Sequence, residues 1–250
     1  MDMNLLNMLK EEMEMKLKGG LYHQTQVKLA FNSNRIEGSR LSEEQTRYIF
    51  ETNTIGMENG DAANVDDIIE TVNHFTCFDY MLARASQELS EDMIKEFHRI
   101  LKTGTSDARK DWFRVGGYKA RPNAVGDTKT TPPGKVAEEM GKLLAVYNRK
   151  ASVTFDDIVE FHHKFECIHP FQDGNGRIGR LIMFKECLRN GILPFIIDHN
   201  RKMFYYRGLK EFLTEKGYLM DTCRSAQDEY EKLVKYFFPG ESMNADATGV

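Results

Sequence analysis

Apolar residues recur at three-to-four spacing along most of the chain, the period of helices with one buried face. The pattern predicts helices over Met8–Lys18 and Gln24–Ile36, separated by Gly19-Gly20, with Gly38 closing the second. Ser42 opens a short helix, and Gln45 three residues on forms a capping box with it. Asn64–Ala85 carries Val65, Ile68, Ile69, Val72, Phe75, Met81 and Leu82, the spacing of a long buried helix. Ser90 starts another, which runs to Lys102 and stops at Gly104. Further helices are predicted at Lys135–Asn148, Thr154–Ile168, Asn175–Arg189, Lys202–Lys216 and Met220–Phe238, with Thr154 and Asp157 as a second capping box.

From Trp112 to Pro133 the helical period disappears. Gly116, Gly117, Pro122, Gly126, Pro132 and Pro133 break the segment into what reads as a small hairpin or irregular flap, with Trp112 and Phe113 as core anchors at its base. The expected fold is therefore all-α with a small β-hairpin flap. Residues 1–60 form an N-terminal helical region, 61–239 the main domain, and 240–250 a small, polar, disordered tail.

Composition narrows the class without supplying a chemistry. With 41% hydrophobic and 29% charged residues over 250 positions, the chain has the balance of an ordinary soluble globular protein. A net charge of −4 with no basic stripe argues against a nucleic-acid partner. No run of ~18 uncharged apolar residues occurs, and the start of the chain lacks a cleavage site, so neither a membrane span nor a signal peptide is expected. Cys77, Cys167, Cys187 and Cys223 are scattered and never form CxxC, which fits a reduced, cytoplasmic protein. His163 and Cys167 have metal-ligand spacing, but two ligands do not make a zinc site. His74, His98 and His162 read as packed histidines, and Met8, Met13 and Met15 as residues that pack on the domain or on a second copy.

The chemistry concentrates in His169–Arg180, HPFQDGNGRIGR, between two predicted helices. Gly174 and Gly176 let the backbone turn and approach a ligand, and the helix from Asn175 offers free N–H groups to an anion. Arg177 and Arg180, three apart, share a helix face, and guanidinium forks suit a polyphosphate. Asp173 is a hard oxygen ligand of the kind Mg²⁺ prefers beside substrate phosphates, and His169 can take a proton near neutrality. Together they suit in-line attack of a hydroxyl on a phosphate, with His169 as the base. Gly174, Gly176 and Gly179 also spell GxGxxG, with Asp198 about twenty residues on. A dinucleotide fold needs a preceding strand in a βαβ unit, and here the motif follows a helix.

This stretch resembles the Fic-domain signature HPFx[D/E]GNGRxxR at every defined position. The resemblance covers roughly Glu91 to Phe237 and implies a helical fold with a hairpin flap. It also implies transfer of AMP from ATP to a Tyr, Ser or Thr hydroxyl of a protein, with self-modification expected. On that resemblance His169 is the general base, Asp173 the Mg²⁺ ligand, and Gly174, Asn175 and Gly176 the anion hole. Arg177 and Arg180 are the phosphate arginines, the second reaching the γ-phosphate. Tyr205 and Tyr206 resemble a tyrosine pair near the nucleoside, while Leu213 stands where some relatives have an asparagine. Ala120–Gly126 resembles the flap that aligns the target by strand addition, with Val125 and Gly126 expected near the nucleotide.

Ser33-Asn-Arg-Ile-Glu37-Gly38 resembles the family's inhibitory motif [ST]xxxE[GN]. Ser33 and Glu37 are four apart on one helix face, and a carboxylate delivered to Arg180 would occupy the fork the γ-phosphate needs. The expectation is an autoinhibited protein adenylyltransferase using Mg²⁺-ATP. The alternatives are removal of AMP with Glu37 positioning a water, transfer from another nucleotide donor, and a nucleotide-binding regulator. Homo-oligomers are common in the family.

Overall fold

The computed structural model describes residues 5–56, 62–126 and 128–239; the expected disordered tail, 240–250, lies outside the described residues. Among them are ten α-helices, three short 3₁₀ helices and one two-stranded sheet.

The centre is α8 (Asn175–Arg189), whose residues from Ile178 to Leu188 are all buried. It has no polar face, as expected of a helix enclosed by others. α7 (Phe155–Ile168) packs along it, and α2 (Leu21–Ile36), α4 (Val65–Ala83) and α5 (Glu91–Lys102) cover other sides. α6 (Val136–Asn148) packs on α7, while α9 (Lys202–Glu211) and α10 (Gly217–Phe237) form a pair beyond it. α1 (Leu5–Met15) and α3 (Glu43–Thr52) brace α2 from outside. One apolar core runs from Leu5 and Leu9 of α1 through Phe78, Phe97, Phe165 and Phe184 to Tyr230 of α10. A smaller cluster of Ala30, Leu41, Ile49 and Phe75 seals α2, α3 and α4 together. Residues of the N-terminal helices thus share the core that holds α8.

The caps read from the sequence are formed. Ser42 with Gln45 and Thr154 with Asp157 each make reciprocal capping boxes, and the Ser90 side chain accepts from the Met93 N–H. Three expectations need correction. The first helix spans Leu5–Met15 rather than Met8–Lys18, because Leu5 and Leu6 are buried and Lys16 takes a left-handed conformation at φ 52°. The helix from Lys202 ends at Glu211, where Thr214 and Glu215 turn their N–H groups back onto the Glu211 carbonyl. Trp112 is 36% exposed, with Arg121 over its ring, and Phe113 alone is buried at the base of the flap.

The flap is a short antiparallel hairpin of β1 (Ala124–Val125) and β2 (Thr128–Lys129), with Val125 opposite Thr128. Its strands are exposed, and its base is tied to the loop between α7 and α8. Lys119 donates its N–H to the Pro170 carbonyl at 2.9 Å, and the Arg121 N–H reaches Gln172 Oε1 at 3.3 Å. Among the described residues no helix is long and apolar enough to cross a membrane.

Where α9 meets α10, a Cβ on Gly208 would lie 2.7 Å from the Leu219 Cα and 2.8 Å from its N, backbone atoms that cannot step aside. Gly208→Ala is therefore expected to cost about 1–3 kcal/mol, as overpacking does. Urea denaturation measures it; a loss below ~0.5 kcal/mol would show that the two helices separate freely.

Candidate active site

The loop between α7 and α8 is set by two left-handed residues. His169 caps α7 at φ 51°, ψ 64°, and Gly174 precedes α8 at φ 84°. The first bond inside α8 runs from the Ile178 N–H to the Gly174 carbonyl, 3.1 Å. The N–H groups of Asn175, Gly176 and Arg177 therefore have no partner within the helix, the arrangement that attracts an anion. Asn175 staples the loop: its Oδ1 accepts the Phe171 N–H at 2.8 Å, and its Nδ2 donates to the Phe171 carbonyl at 2.9 Å. Phe171 is fully buried and stacks on His98 at 4.1 Å, so the loop is anchored from below as well.

Both arginines of the motif are buried. Arg180 Nε donates to Ser33 Oγ at 3.0 Å, and its Nη2 to the Ser33 carbonyl at 2.9 Å and Glu37 Oε1 at 2.6 Å. The Glu37 carboxylate lies on the bare Cα of Gly176, where a Cβ would stand 2.1 Å from Oε1. A negative group thus already occupies the head of α8, brought there by the end of α2.

Arg177 is held differently. Its Nη1 donates to Glu70 Oε2 of α4 and its Nη2 to Asp173 Oδ2 at 3.0 Å. Lys102 of α5 places its Nζ 2.7 Å from Asp173 Oδ2, 2.5 Å from Glu70 Oε1 and 2.9 Å from Asp107 Oδ2. Lys102, Asp173, Arg177 and Glu70 close a ring of alternating charge. Glu70, Lys102 and Asp107 were not legible as site residues, although Lys102 interrupts the buried face of α5, which also carries Phe97, His98 and Leu101.

The electrostatics follow. Burial works against ionising Asp173, but Arg177 and Lys102 hold its carboxyl well below the usual range. Burial, then the Lys119 charge, lowers His169 to about 4, so the imidazole is neutral near pH 7. Glu166, against Gly179, is pushed up to about 8 by burial and then by Glu37.

Tyr205 is buried with its hydroxyl 2.6 Å from His162 Nε2, and its ring lies 5.8 Å from the Arg180 guanidinium carbon. The Tyr206 hydroxyl donates to the Ile36 carbonyl at 3.2 Å. The structure thus brings the motif, the Ser33–Glu37 turn and both tyrosines into one place. Val125 and Gly126 sit at the exposed tip of the flap, which reaches the loop through Lys119, Arg121 and Asn123 instead. Leu213, past the end of α9, is 87% exposed. His163 stacks on Phe212 with Cys167 Sγ 3.5 Å from its Nε2, and among the described residues no three His, Cys, Asp or Glu side chains gather as a metal site. Asp173, half exposed with one oxygen engaged, suits a Mg²⁺ ion that takes its other ligands from phosphates and water.

Residues 88–187 match the family profile described as the Fic/DOC family. The chain is 27% identical over 197 residues to protein adenylyltransferase fic-1 of Caenorhabditis elegans, covering 76% of this chain and 37% of that protein. It is 28% identical over 213 residues to protein adenylyltransferase Fic of Drosophila melanogaster, covering 83% of this chain and 41% of that one. The chain therefore spans about two fifths of the length of these relatives. A Fic domain-containing signaling protein of Bacteroides thetaiotaomicron shares the fold at TM-score 0.70 and 24% identity, over 92% of this chain and 90% of that one. Fic-1 of Caenorhabditis elegans aligns at TM-score 0.72 and 20% identity, over 92% and 70%.

The histidines around the loop make a prediction about acid. Burial, then Lys102, lowers His98 from 6.5 to about 3, and burial, then Arg180, lowers His162 equally. The unfolded chain binds protons at both between those values while the folded chain does not, so the stability they support is present above about pH 6.5 and is lost on acidification toward 3. Urea midpoints should fall steadily over that window. A flat profile would mean that the folded protein protonates both rings freely.

Proposed function

Because the chain carries a Fic/DOC-family domain over residues 88–187, we propose that it is an autoinhibited protein adenylyltransferase. It moves AMP from Mg²⁺-ATP to a Tyr, Ser or Thr hydroxyl of a protein, itself included. The observation that carries the proposal is the Glu37 carboxylate lying on Gly176 and bonded to Arg180, at the helix end where phosphates would bind.

ATP lays its phosphates on the free N–H groups of Asn175, Gly176 and Arg177, with Gly174 permitting the turn. Arg177 and Arg180 clamp the phosphate oxygens, and Arg180 takes the γ-phosphate. Asp173 would hold the Mg²⁺, which supplies charge neutralisation on the phosphates. His169 accepts the proton of the target hydroxyl as its oxygen bonds to the α-phosphorus. The bond from that phosphorus to the bridging oxygen breaks, and pyrophosphate leaves with the electron pair. Tyr205, whose ring lies beside Arg180, and its neighbour Tyr206 would contact the nucleoside. The flap, with Val125 and Gly126 at its tip, offers a strand edge to the target chain. The net charge of −4 and the absence of a basic stripe favour a protein over a nucleic acid as acceptor. The free thiols fit a reducing compartment.

With Glu37 on Arg180 the γ-phosphate loses its fork, and ATP binds with its α-phosphate out of line. Replacing Glu37 by Gly removes a charge-assisted contact worth about 1.5–3 kcal/mol, so transfer should rise roughly 10–100-fold. Protein-bound label from α-labelled ATP measures it, and His169→Ala in the Glu37→Gly chain should lose ~10²–10⁴ of that rate. Label from γ-labelled ATP would mean phosphotransfer instead. AMP release that depends on Glu37 would mean the reverse reaction, and tight ATP binding with no label from any nucleotide would mean a regulator.

A further inference from the structure

The imidazole of His169 is held by two amides whose orientations are fixed. Asn175 Nδ2 lies 3.1 Å from His169 Nδ1, and Asn123 Nδ2, from the flap, lies 2.9 Å from the same atom. Asn175 cannot turn over, because its Oδ1 accepts the Phe171 N–H. Nor can Asn123 while Lys119 holds it. Its Oδ1 accepts from Lys119 Nζ at 2.7 Å and lies 2.6 Å from Thr130 Oγ1, and a flip would set its NH₂ against the ammonium. Lys119 is itself buried and makes no ion pair within the described residues; its Nζ points at Asn123, Thr130 and the Ile168 carbonyl. Both amide nitrogens also donate to the Phe171 carbonyl, so every hydrogen of the two amides that faces the loop has a place.

Two N–H donors aimed at Nδ1 leave no room for a proton there. A neutral imidazole must then carry its hydrogen on Nε2. Resting on the reading of His169 as the base, we propose that Asn123, oriented by Lys119, is a positioning residue that acts with Asn175 to hold His169 with Nε2 protonated, and that it is the one of the two that a target chain can turn. The Nε2 atom then has no lone pair for the hydroxyl proton. This is a hold on the base separate from the hold of Glu37 on the phosphate arginine, and it comes from the flap rather than from α2.

Its release follows from where Asn123 sits, immediately before β1. A target chain that pairs with the hairpin and turns the Asn123 amide over replaces that donor at Nδ1, the nearer of the two, with the Oδ1 acceptor. Nδ1 can then take a proton from water and donate it to Oδ1, while Nε2 returns its own proton to water, and the ring stays neutral. The bared Nε2 accepts the hydroxyl proton, and the imidazolium formed is held through Nδ1–H. Target binding would thereby switch on the base, which limits wasteful hydrolysis of ATP when no target is present.

The test reads the tautomer directly. In the full chain carrying ¹⁵N-histidine, long-range ¹H–¹⁵N correlations report which ring nitrogen bears hydrogen, with the His169 signals assigned by their loss in His169→Ala. At about pH 8, above the ordinary imidazole range, the parent should show a bare Nδ1 and a protonated Nε2. Asn123→Asp exchanges the donor for an acceptor that Lys119 can still pair, and should invert the pattern. In the Glu37→Gly background the same change should raise kcat at least ~10-fold with KM for ATP unchanged, since a wrong tautomer costs up to ~10⁴ in the serine-protease triad. Lys119→Met is the second variant: it frees the Asn123 amide to flip and should give mixed tautomers. A parent already protonated on Nδ1, or a pattern unmoved by both variants, overturns the proposal. The tautomer readout needs no turnover, so a chain that transfers no label defeats the functional reading and leaves this one to its own measurement.

Discussion

A guanidinium buried in a protein must be neutralised by something, and α8 buries two of them near its head. Leaving such a charge unpaired costs several kcal/mol, far more than an exposed ion pair returns. The elements around α8 supply the answer from different directions: Ser33 and Glu37 from α2, Glu70 from α4, and Asp173 from the loop itself. If phosphates are the guests these arginines are built for, an empty site needs a substitute anion. Glu37 fills that place for Arg180, so the contact proposed to be inhibitory also stabilises the fold. The core reflects this, since α2 shares the apolar cluster that encloses α8.

Much of this was legible along the chain because it depends on neighbours in sequence. Helix caps such as Ser42–Gln45 and Thr154–Asp157 close within four residues, and α8 begins at Asn175 directly after the left-handed Gly174. The pairing of Ser33 and Glu37 with Arg180 was legible only through resemblance, because those residues are more than 140 positions apart. The partners that resemblance did not supply were missed. Glu70 sits on an amphipathic helix like any surface glutamate, and nothing local tells that Arg177 lies over it. Asn123 lies within the flap segment Ala120–Gly126, and its bond to His169, 46 positions away, has no local signal. The errors at α1, α9 and Trp112 are of the opposite kind. There the local pattern was clear, and tertiary packing or a turn decided otherwise.

The flap and the catalytic loop are joined by polar contacts rather than by an apolar seam. Lys119, Asn123 and Thr130 make a small network with no carboxylate in it. A buried ammonium held only by neutral oxygens sits in a costly position, and burial lowers the Lys119 pKa to about 8. Such an arrangement is easily rearranged by a strand that offers new hydrogen bonds, whereas the Lys102–Glu70 ring on the far side of the loop is compensated in full. The loop therefore has one stiff wall and one yielding wall.

Gly176 bears on how such a protein could escape control. The missing side chain admits the Glu37 carboxylate, and in the proposed function the same space receives a phosphate. On that proposal a residue with a Cβ at this position would evict the inhibitor and the substrate together. Loss of restraint through the head of α8 is thus closed off, because every change there that frees Arg180 also fouls the site. Within this contact, the proposed restraint can be released only from the other partner, through the end of α2 that carries Ser33 and Glu37. The two sides of one contact are unequal in mutational freedom: one can be lost with gain of activity, and the other only with loss of everything.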